Sequence, residues 1–185
     1  KLSENLFKGL SPWMQKLPGG LIHVNVVGCA LFAAISGSSA ATVATVGKMS
    51  IPELRKRKYP EKILLGSLAG SGTLGLLIPP SIILIIYGVA VQESIAKLFI
   101  AGIIPGIMIA LIFMSYVIIW SLINKKKMPK ISEKYSFLEK IKRSKQLLPV
   151  IILISGVIGS IYTGIATATE AASLGVVGSL ILSYF

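Results

Sequence analysis

The sequence predicts an all-α membrane protein made of polytopic helices, and three observations support this fold class. The chain is 54% hydrophobic and only 14% charged, whereas soluble domains carry roughly 25% charged residues. Its mean hydropathy is +0.80, and several apolar runs approach or exceed the ~20 residues that a helix needs to cross a bilayer. Polar turns that contain glycine or proline interrupt two of these runs, which predicts a re-entrant helical hairpin and a broken transmembrane helix.

The charged residues lie almost entirely between the apolar runs. Residues 21–47, 63–92, 98–124 and 146–169 contain no Lys, Arg, Asp or Glu. Six of the 19 basic residues lie in residues 48–62 and nine in residues 125–145. Because cytoplasmic loops carry an excess of Lys and Arg, both loops are predicted to be cytoplasmic. The net charge of +12, distributed in this way, indicates the lipid bilayer as a partner and not nucleic acid.

Two segments have the composition of amphipathic surface helices. Residues 1–18 mix Leu, Phe and Trp13 with three Lys, which predicts an arm helix interrupted at Pro12 and closed at Pro18. The alternative for this segment is a loop that anchors only Trp13 among the lipid headgroups. Residues 124–146 are basic, with apolar side chains at roughly helical spacing, and predict a second arm on the cytoplasmic surface.

Residues 19–50 predict the re-entrant hairpin. Basic clusters flank the apolar run, so both of its ends favour the cytoplasm. Two complete crossings need ~40 residues, which is more than the run provides. The polar turn at residues 36–39 also breaks it too strongly for one clean span. A hairpin with its tip at Gly37 satisfies both constraints, whereas a single kinked span would place residues 53–62 on the outside.

The broken helix is predicted within residues 51–92. Residues 51–61 are interpreted as a solvated cytoplasmic loop. Half-helices at 63–74 and 81–89 then flank an unwound segment from Gly75 to Pro80, because proline lacks the amide donor and clashes with the preceding turn. Residues 93–123 predict a short outer loop and a full span, kinked at Pro105 and with a small-residue contact face, Gly102-x-x-x-Gly106.

Residues 147–185 predict two further apolar segments joined by a polar turn at residues 163–170. We expect two ordinary spans, and another re-entrant hairpin is the alternative. Glu170 is an acid inside an apolar stretch, which suggests a functional group. The Thr167-x-x-Glu170 spacing also fits a capping box, which we expect instead. Because the chain starts without Met and stops inside an apolar run, we expect a piece of a longer protein.

Three other patterns have a structural explanation. Residues 70–75 match G-x-G-x-x-G, but an apolar segment precedes them and Pro79-Pro80 follows, so helix packing explains the glycines better than a nucleotide. His23, the single histidine, is expected at the interface, and Asn25 is expected to form a structural hydrogen bond. No catalytic constellation or metal-ligand spacing is present, so neither an enzyme nor an organic cofactor is expected.

The two polar turns together suggest a binding site made largely of backbone. Helix N-termini at membrane depth favour an anionic group, and unwound carbonyls coordinate cations such as Na⁺. The predicted cation ligands are Ser36, Gly37, Ser38, Gly75, Ile78 and Pro79. The predicted substrate-binding residues are Ser38, Ser39, Thr42, Pro80 and Ser81, with Thr167, Thr169 and Glu170 as further candidates. Alternatively, the hydroxyls of Ser38, Ser39 and Thr42 only cap the second arm of the hairpin.

The order and spacing of these motifs resemble the large membrane subunit of tripartite ATP-independent periplasmic (TRAP) transporters. The resemblance extends from residue 19 to residue 172. It rests on Ala-Ala-Ile-Ser-Gly-Ser-Ser-Ala-Ala-Thr at 33–42, Ile-Pro-Glu at 51–53, Ser-Gly-Thr-Leu-Gly-Leu-Leu-Ile-Pro-Pro-Ser at 71–81, Tyr-Gly at 87–88 and Leu-Phe-x-Ala-Gly-x-x-Pro-Gly at 98–106. One departure is Ala168, where the family usually has proline in a Thr-Pro-Thr-Glu turn.

The resemblance implies an inverted-repeat elevator transporter of the bacterial inner membrane. It implies Na⁺-coupled uptake of an organic acid, such as a dicarboxylate, a sialic acid or another sugar or keto acid, delivered by a periplasmic binding protein. A small membrane subunit, separate or fused, would complete the assembly. Residues 147–185 would then start the second repeat. A non-transporting membrane scaffold and a channel subunit are the alternative functions.

Overall fold

The computed structural model describes residues 2–129 and 135–184, and every regular element within them is a helix, which confirms the all-α class. The helices are α1 (Leu2–Met14), α2 (His23–Ser36), α3 (Ser39–Lys56), α4 (Glu61–Gly72), α5 (Ile82–Val91), α6 (Ile95–Ile123), α7 (Phe137–Ser144), α8 (Leu148–Tyr162) and α9 (Ala168–Tyr184). Short 3-10 turns lie at Gly20–Ile22, Thr73–Leu76, Lys125–Lys127 and Lys145–Leu147. Two stretches of the described residues are long and apolar enough to cross a membrane. One is helix α6 (Ile95–Ile123), and the other is Phe137–Tyr162, which comprises α7, the 3-10 turn that follows it and α8.

Helices α2 and α3 form a hairpin whose turn is only two residues long, and both pack against α4. Helix α2 ends because Gly37 adopts the left-handed conformation, with φ 58°. Helix α3 begins because extended Ser38 caps it, its side chain accepting from the Ala41 amide. Small residues bring the three helices together, since a Cβ at Gly47 would lie 2.9 Å from Leu68. The hairpin shape is therefore present, whereas its position in a bilayer remains a prediction.

The prediction of a solvated loop at residues 51–61 is wrong for its first half. Helix α3 continues through Pro52 to Lys56, and the helix-free connection is only residues 57–60. Leu54 is fully buried in the core, which explains why this charged segment stays helical. Tyr59 is also buried. The charges are solvated on one side of the helix only, and Arg55 pairs with Glu61 at 2.7 Å across the turn.

The predicted break is present. Helix α4 ends at Gly72, a 3-10 turn follows, and α5 does not begin until Ile82. The Pro79-Pro80 peptide within the break is cis. The predicted Gly102/Gly106 contact face packs against this break, since a Cβ at Gly102 would lie 2.8 Å from the Leu77 carbonyl oxygen and one at Gly106 2.9 Å from Ile78 Cγ1.

The two amphipathic arms pack against each other. Helix α1 continues through Pro12 to Met14, which favours the helix over the loop alternative, and the predicted interruption at Pro12 is wrong. Trp13 Nε1 donates to Ser144 Oγ at 2.8 Å, and its ring meets Phe137 edge to face at 6.5 Å between centroids. In the second arm, Phe137–Ser144 is helical, and residues 130–134 lie outside the described residues.

His23, which the sequence suggested as a polar interfacial residue, is fully buried inside the protein. Its Nε2 lies 2.8 Å from the Pro18 carbonyl oxygen, a contact made possible by the tight turn that precedes α2. Asn25 fulfils its expected structural role. Its side chain donates to the Leu64 carbonyl at 3.2 Å and to Ser67 Oγ at 3.0 Å.

Helices α8 and α9 pack together and contact α5 and α6 through a cluster around Phe99 and Val157. The turn between α8 and α9 is closed by the expected capping box. Glu170 accepts from both the amide and the hydroxyl of Thr167, each at 2.8 Å, and the Glu170 amide donates back to the Thr167 hydroxyl at 3.3 Å.

Candidate functional site

Hydroxyl and backbone groups hold the tip of the α2–α3 hairpin together. Ser36 Oγ and Thr42 Oγ1 lie 2.8 Å apart across the turn. The Thr42 amide donates to the Ser38 carbonyl at 3.0 Å, and the Gly37 amide donates to Ala33 at 2.9 Å. Thr42 is fully buried, so this hydrogen bond between the two hydroxyls is shielded from solvent and stabilises the turn.

The tip meets the break in α4–α5 at two places, and the first is Gly75. A Cβ built at position 75 would lie 2.9 Å from the carbonyl carbon of Ser38 and 2.9 Å from the amide nitrogen of Ser39. Real Cβ atoms do not approach backbone this closely. The absence of a side chain at Gly75 therefore lets the 3-10 turn lie directly against the first peptide of α3.

The second meeting place joins Gly37 to the start of α5. The Ile82 amide donates to the Gly37 carbonyl at 3.3 Å, and a Cβ at Gly37 would lie 2.6 Å from the Pro80 carbonyl oxygen. Ser81 is fully buried and donates its hydroxyl hydrogen to the Leu76 carbonyl at 2.7 Å. The predicted residues of the two turns are therefore brought together by the fold.

Several polar groups at this contact lack a partner. The Ser39 hydroxyl oxygen is buried and has no hydrogen bond among the described residues. Within the same part of the chain, no hydrogen bond ends on the carbonyl oxygens of Ile78 or Pro79. Because buried polar groups normally find partners, the Ser39 hydroxyl is suited to a ligand that supplies the missing contact.

Sequence reasoning missed Ser71. It is fully buried, one helical turn before Gly75, and its hydroxyl has no partner among the described residues. Ser67, Ser71 and Gly75 follow one another at four-residue spacing along α4 and the 3-10 turn after it, in otherwise apolar sequence, and this spacing is the signal that could have identified Ser71.

The candidates in the α8–α9 turn are not joined to this contact. Thr167 and Glu170 bond to each other, and the Thr169 carbonyl accepts from Ser173 at 3.2 Å. No hydrogen bond in the described ranges connects this turn to the hairpin tip. Its geometry is that of a helix cap.

A cavity of about 430 Å³ lies beside the contact. Ser36, Gly37, Pro80 and Ser81 form one wall, and residues of α8 and α9 form the opposite wall. In the described part of the chain, no group of three His, Cys, Asp or Glu side chains could hold a metal ion. A cation at this place would therefore be coordinated by backbone and hydroxyl oxygens.

Comparisons with known proteins agree with the resemblance noted from the motifs. The family described as "Tripartite ATP-independent periplasmic transporter, DctM component" matches residues 1–185. A C4-dicarboxylate TRAP transporter large permease protein of Pseudomonas aeruginosa is 41% identical over 167 residues, covering 90% of this chain and 38% of its own length. An isethionate TRAP transporter permease protein of Oleidesulfovibrio alaskensis is 36% identical over 186 residues, covering 100% of this chain and 29% of its own length.

A sialic acid TRAP transporter large permease protein of Vibrio cholerae is 37% identical over 189 residues, covering 98% of this chain and 42% of its own length. This chain thus spans less than half of each of these relatives. All three are named as permeases, which agrees with the expectation that the chain is not an enzyme. The chain belongs to the DctM-component family of tripartite ATP-independent periplasmic transporters, which are membrane proteins.

Proposed function

We propose that this chain is part of a Na⁺-coupled transporter for an organic acid, and that the contact between hairpin tip and helix break holds a coupling ion. The relatives named for C4-dicarboxylate, sialic acid and isethionate all act on acids, which supports this substrate class. A periplasmic binding protein would deliver the acid, and a small membrane subunit, separate or fused, would complete the transporter.

The unpartnered Ser39 hydroxyl beside Gly75 is the observation that carries the cation assignment. The proposed further ligands are the carbonyl oxygens of Ser36, Gly37 and Ser38 in the hairpin tip and those of Gly75, Ile78 and Pro79 in the break. Hard oxygen ligands of this kind suit Na⁺, as in broken-helix transporters, where unwound carbonyls coordinate the ion. Ser71, one turn below Gly75, offers a further hydroxyl.

The anion would lie at the N-termini of α3 and α5. Ser38 and Ser81 stand at the N-cap positions of these helices, where the helix dipole favours negative charge. Ser39, Thr42 and Pro80 complete the proposed substrate-binding set. No Lys or Arg lies in the apolar run 63–92, so the helix ends and the bound Na⁺ would compensate the carboxylate.

The proposed topology places the hairpin in the membrane from the cytoplasmic side of the bacterial inner membrane. Helix α2 has 14 residues and is therefore about 21 Å long at ~1.5 Å per residue. This is shorter than the ~30 Å hydrocarbon core, which supports re-entry. The hairpin and the broken helix would together form the moving domain of an elevator mechanism. Helices α1 and α7 would be the arms that support this domain.

The test is Na⁺-dependent uptake by the complete permease, reconstituted with its partner subunits. Ser39→Ala removes a hydroxyl that has no hydrogen-bond partner among the described residues. We therefore expect unchanged thermal stability without Na⁺ and an increase of about tenfold in the half-saturating Na⁺ concentration, which corresponds to ~1.4 kcal/mol. Ser115→Ala, at an exposed position of α6 where no side-chain hydrogen bond is present among the described residues, is the matched control and should leave both values unchanged.

Two outcomes would contradict the proposal. If the Na⁺ dependence of uptake is unchanged in Ser39→Ala, Ser38→Ala and Pro79→Ala, the ion does not bind at this contact. The scaffold alternative is tested with Ser39→Cys and a thiol reagent added from the cytoplasmic side. Labelling that never changes with Na⁺ or an acid would favour a fixed packing role for the tip.

A further inference from the structure

A second cavity, of about 420 Å³, lies at the end of α6. The turn between α1 and α2 forms one side of it, through Lys16 and Gly19. The last turn of α6, with Ser121 and Leu122, and the following Lys125 form another side. This cavity is separate from the hairpin tip and shares no lining residue with the cavity beside it.

The charge of this cavity is entirely positive. Lys16 and Lys125 both line it and are exposed, and no carboxylate is among the described lining residues. A larger cavity of about 820 Å³, between α1, α3 and α7, differs because Glu53 and Glu139 stand among its basic residues. The charges that line the cavity at the end of α6 therefore favour an anionic group over a cationic one.

Two of the residues that line it, Tyr59 and Ser121, carry hydroxyls and are themselves buried. Tyr59 is 8% exposed and accepts from the Leu21 amide at 3.0 Å, so its own hydrogen is available to an acceptor. Burial raises the pKa of Tyr59, which keeps this hydroxyl a donor at neutral pH. Ser121 is 3% exposed, and its Oγ has no partner among the described residues. Hydroxyl donors and ammonium groups together suit phosphate oxygens.

The surface next to the cavity is apolar. Ile119 and Ile123 of α6 are 57% and 78% exposed, and Leu122, which lines the cavity, is 47% exposed. These residues end a helix of 29 residues whose one charged side chain, Lys97, lies near its other end. A ligand at this place thus meets positive charge at one end and lipid-exposed helix at the other, which a free phosphate ion would not use.

We propose that this cavity binds the headgroup of an anionic phospholipid, with the phosphate near Lys16 and Lys125 and the acyl chains along α6. Basic pockets beside transmembrane helices on the cytoplasmic side bind such headgroups. This proposal rests on the proposed topology in one respect only, which is that the cavity faces the cytoplasmic leaflet of the membrane. It does not depend on Na⁺ coupling or on the transported acid.

The test compares lipid retention by the complete permease in nanodiscs of phosphatidylcholine and phosphatidylglycerol in equal parts. After extraction, native mass spectrometry measures bound phosphatidylglycerol. One lysine near a membrane surface contributes about a factor of five in binding. We therefore expect about thirty-fold weaker retention in the double variant Lys16→Gln/Lys125→Gln. The Lys16→Arg/Lys125→Arg variant should retain the lipid.

The matched control is Lys126→Gln/Lys127→Gln, which removes the same charge from exposed positions that do not line the cavity. An equal loss in this control would overturn the proposal, because general surface attraction would then explain the binding. A retention unchanged in Lys16→Gln/Lys125→Gln would also overturn it. Full displacement of the lipid by inorganic phosphate would assign the cavity to a soluble anion instead.

Discussion

Gly75 lies directly against the peptide that joins Ser38 to Ser39, with room for a hydrogen atom and no more. The 2.9 Å separations from a built Cβ involve backbone atoms on the Ser38 side and the Ser39 side alike. Backbone cannot swing aside as a flexible side chain can. This one position therefore couples the hairpin tip to the helix break.

Gly75→Ala should separate the tip from the break. We expect a loss of about 1–3 kcal/mol in unfolding free energy, as for other overpacked sites, and loss of most Na⁺-dependent uptake. Gly66→Ala, in the preceding helix α4, is the control, since nothing lies within 4 Å of a Cβ built at this position. It should stabilise α4 by about 0.5–1 kcal/mol. Equal behaviour of the two variants would refute the coupling.

Gly37→Ala tests the second contact. Position 37 has φ +58° and a Cβ position 2.6 Å from the Pro80 carbonyl oxygen, whereas Gly164 has φ +72° and nothing within 4 Å. Gly164→Ala should therefore show only the left-handed strain of about 1–2 kcal/mol. Gly37→Ala should lose more stability than this in thermal or denaturant unfolding. Equal losses would show that the Pro80 contact is unimportant.

Thr42→Val tests the hydroxyl pair inside the tip. The variant keeps the shape of the side chain and removes the 2.8 Å bond to Ser36 Oγ. We expect about 0.5–1.5 kcal/mol lower stability and a higher half-saturating Na⁺ concentration. Thr45→Val is the control, because no side-chain hydrogen bond of Thr45 is present within the described ranges. A Na⁺ dependence that shifts equally in both variants would argue against a specific role of the pair.

Glu170→Ala distinguishes a helix cap from a functional acid. The variant loses both bonds to Thr167, so amide hydrogen exchange in the first turn of α9 should become faster. Glu170→Gln can still cap and should show a smaller increase. Uptake should be unchanged in both variants. Abolished uptake in Glu170→Gln, with the cap intact, would restore a functional role.

The sequence predicts the hairpin and the break because each depends on local chemistry. Gly37 supplies a left-handed residue, and Pro79-Pro80 removes consecutive amide donors, so both turns could be located without tertiary information. A contact between the two turns could be expected from the sequence, but its geometry could not, since the closeness of Gly75 to Ser38 depends on how α2, α3 and α4 pack.

The predictions for the segment around Pro52 and for His23 failed because the structure at these positions depends on tertiary packing and not on local chemistry. Charge density around Pro52 indicated a loop, but helicity there depends on Leu54 reaching the core, which no local pattern reveals. His23 was assigned by its polarity, whereas its burial follows from a turn that places the Pro18 carbonyl 2.8 Å away. Charge patterns predict which side of a segment meets water, and they do not predict where a helix ends.

Four helix ends converge where the hairpin meets the break. The C-terminal end of α2 at Gly37 faces the N-terminal end of α5, and the N-terminal end of α3 faces the turn that closes α4. Each end carries roughly half an elementary charge, negative at C-termini and positive at N-termini. Two negative and two positive ends therefore meet at one place, and their partial charges sum to about zero. If this contact holds a Na⁺, as we propose, the charge of the ion would make the contact positive and would favour binding of the acid after the cation.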